Sequence, residues 1–199
     1  MALSNLDRRG FLKGTTAGAL ALGLAQRAFA QETLKRGGHV RIGHSGGATS
    51  DTIDPATYTG GPVVTAMIGG VCNNLVEIDE TGAAKPELAE EVTPSADAKT
   101  WTFKLRNVTF SNGRRLTAAD VIASFRHHMG DDTKSGAKEL LKDVTDIRAD
   151  GDSVVVFELA SGNADFPFVA ADYHLLIMPA AADGTMDWKS GIGTGGYTL

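Results

Sequence analysis

"KTWTFKLRNVTFSNGRRLTAADVIASF", residues 99 to 125, changes its hydrophobic period halfway along. Trp101, Phe103 and Leu105 alternate with Thr102, Lys104 and Arg106, the period of two expected of a strand with one buried face. Ser111-Asn112-Gly113 supplies turn chemistry,. Thr117 and Asp120 are then spaced as a capping box, with the carboxylate favouring the positive end of a helix. Val121, Ile122, Phe125 and Met129 give that helix its apolar face,. Strand, tight turn and helix in direct succession predict a mixed α/β fold.

Working outward, Thr145 to Arg148 and Val154 to Leu159 read as a hairpin about Asp150-Gly151-Asp152, preceded by a short helix at Leu140-Leu141,. Asp165 to Ala171 reads as a short helix and Leu175 to Met178 as a buried strand ended by Pro179,. Upstream, His39 to Ile42 alternates like a half-buried strand, and Gly43 to Gly61 is a polar loop holding Asp54-Pro55,. Pro62 opens a helix through Val63, Val64, Met67, Ile68 and Val71,. Leu75 to Ile78 is a short strand closed by the turn Asp79 to Gly82, and "GTGGYTL", residues 193 to 199, is a turn opening into a strand,.

The chain has 199 residues, 42% of them hydrophobic, enough for one ordinary domain,. Its formal net charge is −5; residues 1–30 carry Arg8, Arg9, Lys13 and Arg27 against Asp7, a net of +3, which leaves −8 on the rest. An acidic body excludes phosphate-backbone binding as the main activity, so no nucleic-acid partner is expected. Cys72 is the only cysteine, which rules out an intramolecular disulfide and a cysteine zinc site and leaves it the role of a small hydrophobe.

Residues 1–30 have the layout of an export signal. Basic Arg8, Arg9 and Lys13 precede an uncharged run of 13 residues, Gly14 to Gln26, and then Ala28-Phe29-Ala30 as an A-x-A cleavage site,. The run is too short to span a hydrocarbon core, which needs about 20 residues. Arg8, Arg9, Phe11, Leu12 and Lys13 resemble the twin-arginine signal, although Asp7 stands where Ser or Thr is usual,. With no cysteine at the cleavage point, a soluble periplasmic protein without a lipid anchor is expected, exported by the twin-arginine translocase.

The segment from Pro86 to Phe125 resembles the extracellular solute-binding proteins of the peptide and nickel class, family 5, that serve ABC importers. Their pattern is a P-x-L-A segment, a hairpin with W-T-F-x-L-R, an aromatic before x-x-G, and T-A-x-D-V opening a helix. Pro86, Leu88, Ala89, Trp101, Phe103, Leu105, Arg106, Phe110, Gly113, Thr117, Ala118, Asp120 and Val121 fit in one register. Asp54-Pro55 matches an early D-P, and the ending resembles a G-T-G-x-Y strand, with Gly196 where proline is common.

The resemblance implies an α/β fold of the periplasmic binding protein type II kind, present in part. Residues 31–60 would start the first lobe, 61–173 would be an inserted small α/β domain, and 174–199 the re-entry into the first lobe. The second lobe would be missing, the chain being the N-terminal part of a longer protein. It further implies a monomer that captures peptides, or nickel or another small solute, for ABC permease subunits, without catalysis or cofactor. Ser45, Gly46 and Gly47 after the first strand, and Ser135 and Gly136 in the insert, resemble positions that line the family's cleft. Glycines there would let a ligand backbone approach closely.

Three other patterns carry less. Gly43-His44-Ser45-Gly46-Gly47 reads G-x-S-x-G, the nucleophile elbow of an exported serine hydrolase using Ser45, but a polar run follows where the elbow needs a helix,. Gly191, Gly193 and Gly196 fit G-x-G-x-x-G with no following helix,. His127 and His128 are adjacent on a helix and diverge, and His39, His44 and His174 lack metal-site spacing,. N-terminal sequencing of the exported protein is expected to begin at Gln31; a start at Met1 would remove the signal reading.

Overall fold

Trp101, Phe103 and Leu105 do share the buried face of one strand. In a computed structural model, which describes residues 37–59 and 61–199, this strand is β4, Thr100–Leu105. The signal residues Arg8, Arg9, Phe11, Leu12 and Lys13 and the cleavage residues Ala28 and Ala30 lie outside the described residues. The other strands are β1 Val76–Ile78, β2 Ala84–Pro86, β3 Ala89–Pro94, β5 Val144–Ala149 and β6 Val154–Leu159. The α-helices are α1 Pro62–Met67, α2 Ala118–His127 and α3 Phe166–Val169. The turn of 3-10 helix at Glu139–Leu141 stands where the short helix is predicted.

β1 and β2 form a two-stranded hairpin, and the remaining strands an antiparallel sheet in the order β3-β4-β6-β5. The predicted hairpin is β5-β6, with Ile147 opposite Phe157. Trp101 lies opposite Phe157 and Phe103 opposite Val155 across β4 and β6, so one sheet face is aromatic and aliphatic throughout. Phe103 and Phe157 meet edge-on at 5.2 Å, and Phe125 of α2 meets Phe157 at 4.8 Å. Such pairs contribute about 0.5–1.5 kcal/mol each beyond the area they bury. β2 and β3 carry little periodic signal in the sequence: β3 is mostly exposed Glu and Thr, and β2 is three residues ending in proline.

The start of α2 is fixed by Asp120, whose Oδ2 accepts from the Thr117 N–H and hydroxyl, each at 2.8 Å. Its Oδ1 takes the Arg114 guanidinium and, at 2.7 Å, the N–H of Ala180. Asp120 is completely buried. A single carboxylate thus joins the turn before α2, the helix N-terminus and the chain leaving Met178.

Four expectations are corrected. His39 to Ile42 forms no strand: residues 37–42 make no ladder bonds among the described residues, with Val40 85% and Ile42 77% exposed. α1 stops at Met67 rather than reaching Val71, because the chain turns through Gly69 with φ +66°. Residues 193–199 form no strand; their amides bond instead to the Gly70 and Val71 carbonyls.

Leu175 to Met178 is buried as expected but joins no sheet. Side chains and a loop meet several of its polar groups, while the Leu176 N–H and C=O and the Ile177 C=O have no partner among the described residues. The Ser124 hydroxyl accepts from Met178 N–H at 3.1 Å and donates to its carbonyl at 3.2 Å, doing what a neighbouring strand would do. Ile177 N–H donates to the Asn73 carbonyl, and Asn74 Nδ2 donates to the carbonyls of Asp172 and Leu175. Leu175 and Ile177 pack into the sheet core, whereas Leu176 and Met178 join a second cluster with Tyr58, Met67, Val71, Cys72 and Met186.

Replacing Asp120 with Asn should cost about 3–5 kcal/mol, since it strips the charge from a buried pair and leaves Arg114 without its counter-ion. Asp146→Asn on the exposed edge should stay within about 0.5 kcal/mol. Urea midpoints at unchanged slope measure both.

Candidate ligand-binding site

The loop after residue 43 is held against the start of α1. His44 Nδ1 donates to the Ser45 carbonyl at 2.6 Å, and Nε2 lies 3.3 Å from the Thr65 hydroxyl. Asp51 Oδ2 accepts the Ala48 N–H at 2.9 Å. Ser45, Gly46 and Gly47 are exposed, with the Ser45 carbonyl already taken by His44. Beyond them the Asp54 side chain caps the 3-10 turn Pro55–Thr57, accepting from Ala56 N–H. Beside this turn is a cavity of about 140 Å³ lined by Ser50, Asp51, Thr52, Thr57, Tyr58, Thr59 and Val63. Hydroxyls and a carboxylate around a small concavity suit a polar solute.

Ser135 and Gly136 are reached from the other end of the same segment. Ser135 is buried, sharing a 2.7 Å hydrogen bond with His128 Nδ1 and accepting from Ala137 N–H. Gly136 is exposed, and a Cβ there would fall 2.7 Å from His174 Nε2. His174 in turn bonds the Tyr58 carbonyl, and His127 bonds Asp54. Ser135 and Gly136 thus lie beside histidines that bond the Asp54–Tyr58 turn, and they make no direct hydrogen bond to Ser45, Gly46 or Gly47 among the described residues. Nothing in the spacing of the histidines signalled this convergence.

Among the described residues the Ser45 side chain has no imidazole partner: its neighbour His44 is engaged with the Ser45 carbonyl. No helix directly follows it, α1 starting only at Pro62. The elbow geometry is therefore not formed.

The glycine-rich end packs backbone to backbone against the residues before Asn73. Gly195 N–H donates to the Val71 carbonyl at 2.8 Å and Tyr197 N–H to the Gly70 carbonyl at 3.0 Å. A Cβ on Gly193 would fall 1.9 Å from the Val71 oxygen, and one on Gly195 would fall 2.3 Å from the Gly70 oxygen, whereas one on Gly196 would meet nothing. Steric exclusion thus accounts for G-T-G and leaves the next position free. The Thr194 hydroxyl donates to Asn73 Oδ1 at 2.8 Å, and Asn73 Nδ2 donates to Glu87. Burial is the main influence on Glu87 and raises its carboxyl, against the opposing bonds from Asn73 and Asn74. Cys72 sits beneath this contact fully buried, and burial pushes its thiol up to about 12.

Comparison with known proteins agrees with this architecture. The model of the bacterial extracellular solute-binding proteins, family 5 Middle, matches residues 83–199. The nickel-binding periplasmic protein of Escherichia coli K12 is 31% identical over 118 residues, 59% of this chain and 22% of that protein. A dipeptide-binding protein of Lactococcus lactis is 28% identical over 122 residues, covering 53% of this chain and 22% of its own. Among solved structures, the PBP AgaA in complex with agropinic acid from A. tumefaciens R10 superposes with a TM-score of 0.67 at 27% identity, over 74% of this chain and 30% of that one. The chain thus spans less than a third of the length of each of these proteins. Among the described residues no helix is long and apolar enough to cross a membrane.

Gly193→Ala and Gly195→Ala should each destabilise by about 1–3 kcal/mol through overpacking, while Gly196→Ala should change stability by less than about 0.5 kcal/mol. Thermal melts of the three variants check this. Because only the thiolate reacts, Cys72 should resist a thiol reagent at pH 8 in the folded protein and label fully in denaturant.

Proposed function

The chain belongs to the bacterial extracellular solute-binding proteins of family 5, and on that premise we propose that it is part of the solute-capturing component of an ABC importer, with peptides as the solute. The family match over residues 83–199 carries the role. The relatives are named for different solutes, nickel in one and a dipeptide in another, so the choice of peptide rests on the chemistry of the site. Exposed backbone at Ser45, Gly46 and Gly47, next to a hydroxyl-lined cavity, suits hydrogen bonding to a main chain. Gly136, exposed beside His174, and buried Ser135 would complete the site from the inserted domain.

In this reading residues 31–60, 61–173 and 174–199 are lobe start, insert and re-entry, and the second apolar cluster draws on all three through Tyr58, Met67, Cys72 and Met178. Two lobes closing on the solute would present the closed form to permease subunits, a shift of population driven by binding and not by chemistry. Arg8 and Arg9 would route the protein through the twin-arginine translocase to the periplasm.

Nickel is the second reading, favoured by the 31% identity to the Escherichia coli protein. Against it, His127, His128 and His174 each direct a ring nitrogen at a protein partner.

Native mass spectrometry of the protein with pools of defined di- to pentapeptides is expected to show retained peptide, weakened by Ser45→Ala and Gly47→Val. Stoichiometric nickel uptake that depends on histidine, with no peptide retained, would transfer the proposal to metal. Covalent labelling of Ser45 by a fluorophosphonate would replace it with hydrolysis.

A further inference from the structure

The Asp54–Tyr58 turn is gripped at two points by imidazoles. His127 Nε2 lies 2.7 Å from Asp54 Oδ1. His174, only 4% exposed, has Nδ1 2.7 Å from Asp172 Oδ1 and Nε2 3.0 Å from the Tyr58 carbonyl oxygen. Both of its partners are acceptors, and a neutral imidazole has a single N–H to give. Only the imidazolium donates to both.

We infer that His174 is a pH-responsive clasp between the Asp172 turn and the Asp54–Tyr58 turn, closed when the ring is cationic and open on the Tyr58 side when it is neutral. The inference is independent of which solute is bound. In the cationic ring both bonds are made. As pH rises the proton lost to water comes from Nε2, because Nδ1–H faces the stronger, charged acceptor. The Nε2 lone pair then faces the Tyr58 carbonyl, and that bond is gone.

The groups around the ring permit this. Burial works to raise the Asp172 carboxyl, but hydrogen bonds from the His174 ring and N–H, with the imidazole charges, hold it below its usual value, so it remains an anion. Burial first, then the neighbouring imidazoles, pushes His128 down to about 3, so it stays neutral and adds no competing positive charge. Its Nε2 has no hydrogen-bond partner among the described residues. The Tyr58 phenol is raised by burial and stays neutral. Tyr173 stacks on the His174 ring with centroids 3.9 Å apart, and His127 is turned to Asp54. Gly136 leaves the space that Nε2 occupies, since a Cβ there would fall 2.7 Å away.

The test uses the full chain labelled with 15N. Both ring nitrogens of His174 should be protonated at pH 5.5 and only Nδ1 at pH 8.5. Exchange of the Thr57 and Tyr58 amides, corrected for intrinsic rates, should rise about five-fold over that interval, the loss expected for one hydrogen bond. His174→Gln and Gly136→Ala should each abolish the rise, and His127→Gln should leave it. An unprotonated Nε2 at pH 5.5, or a rise that persists in both clasp variants or vanishes with His127→Gln alone, overturns the inference. Should His174→Gln not fold, the ring measurement on the unaltered protein decides by itself.

Discussion

Asp120 lies wholly inside the protein, and its two oxygens accept from Arg114, Ala180 and twice from Thr117. A buried carboxylate is tolerated only when its charge is paired and its lone pairs are filled, so these contacts are obligatory together. They oblige the turn after β4, the first turn of α2 and the chain beyond Met178 to occupy one arrangement. Helix α2 can then lay Phe125 on Phe157, and the sheet core closes around that contact.

The same helix provides Ser124, one turn from Asp120, and with it the means to bury Leu175 to Met178 without a partner strand. Backbone amides cannot be taken from water unpaired. Here a serine hydroxyl, two asparagines and a carboxylate meet several of the backbone groups of this stretch. The segment is therefore free to stand between two apolar clusters, feeding alternate side chains to each. It also brings His174 against Tyr58 and so ties the sheet-bearing body to the exposed loop that carries Ser45, Gly46 and Gly47.

For a solute-binding protein this arrangement separates rigidity from access. The close-packed glycine contact between residues 70–71 and 193–197 and the inert Cys72 form a fixed floor. The Asp54–Tyr58 turn, anchored by buried Tyr58 and bonded to His127 and His174, is the part whose attachment depends on conditions. Loops mounted on a rigid scaffold are where recognition is usually placed.

Local signals were enough for the elements whose partners lie close in sequence. The alternation from Trp101 to Leu105, the Thr117 and Asp120 cap, the β5-β6 hairpin and the buried character of Leu175 to Met178 were all legible, because period, capping and turn chemistry are properties of neighbouring residues. The family was legible from the same stretch. Tertiary structure alone decided whether His39 to Ile42, Leu175 to Met178 and the final glycine-rich run would be strands, since a strand exists only if another strand bonds to it, and each of these lacks one among the described residues. It also decided that Asp54, His127, His128, Ser135 and His174 converge. Those residues are separated by up to 120 positions, and only the fold brings their ring nitrogens and oxygens within hydrogen-bonding reach.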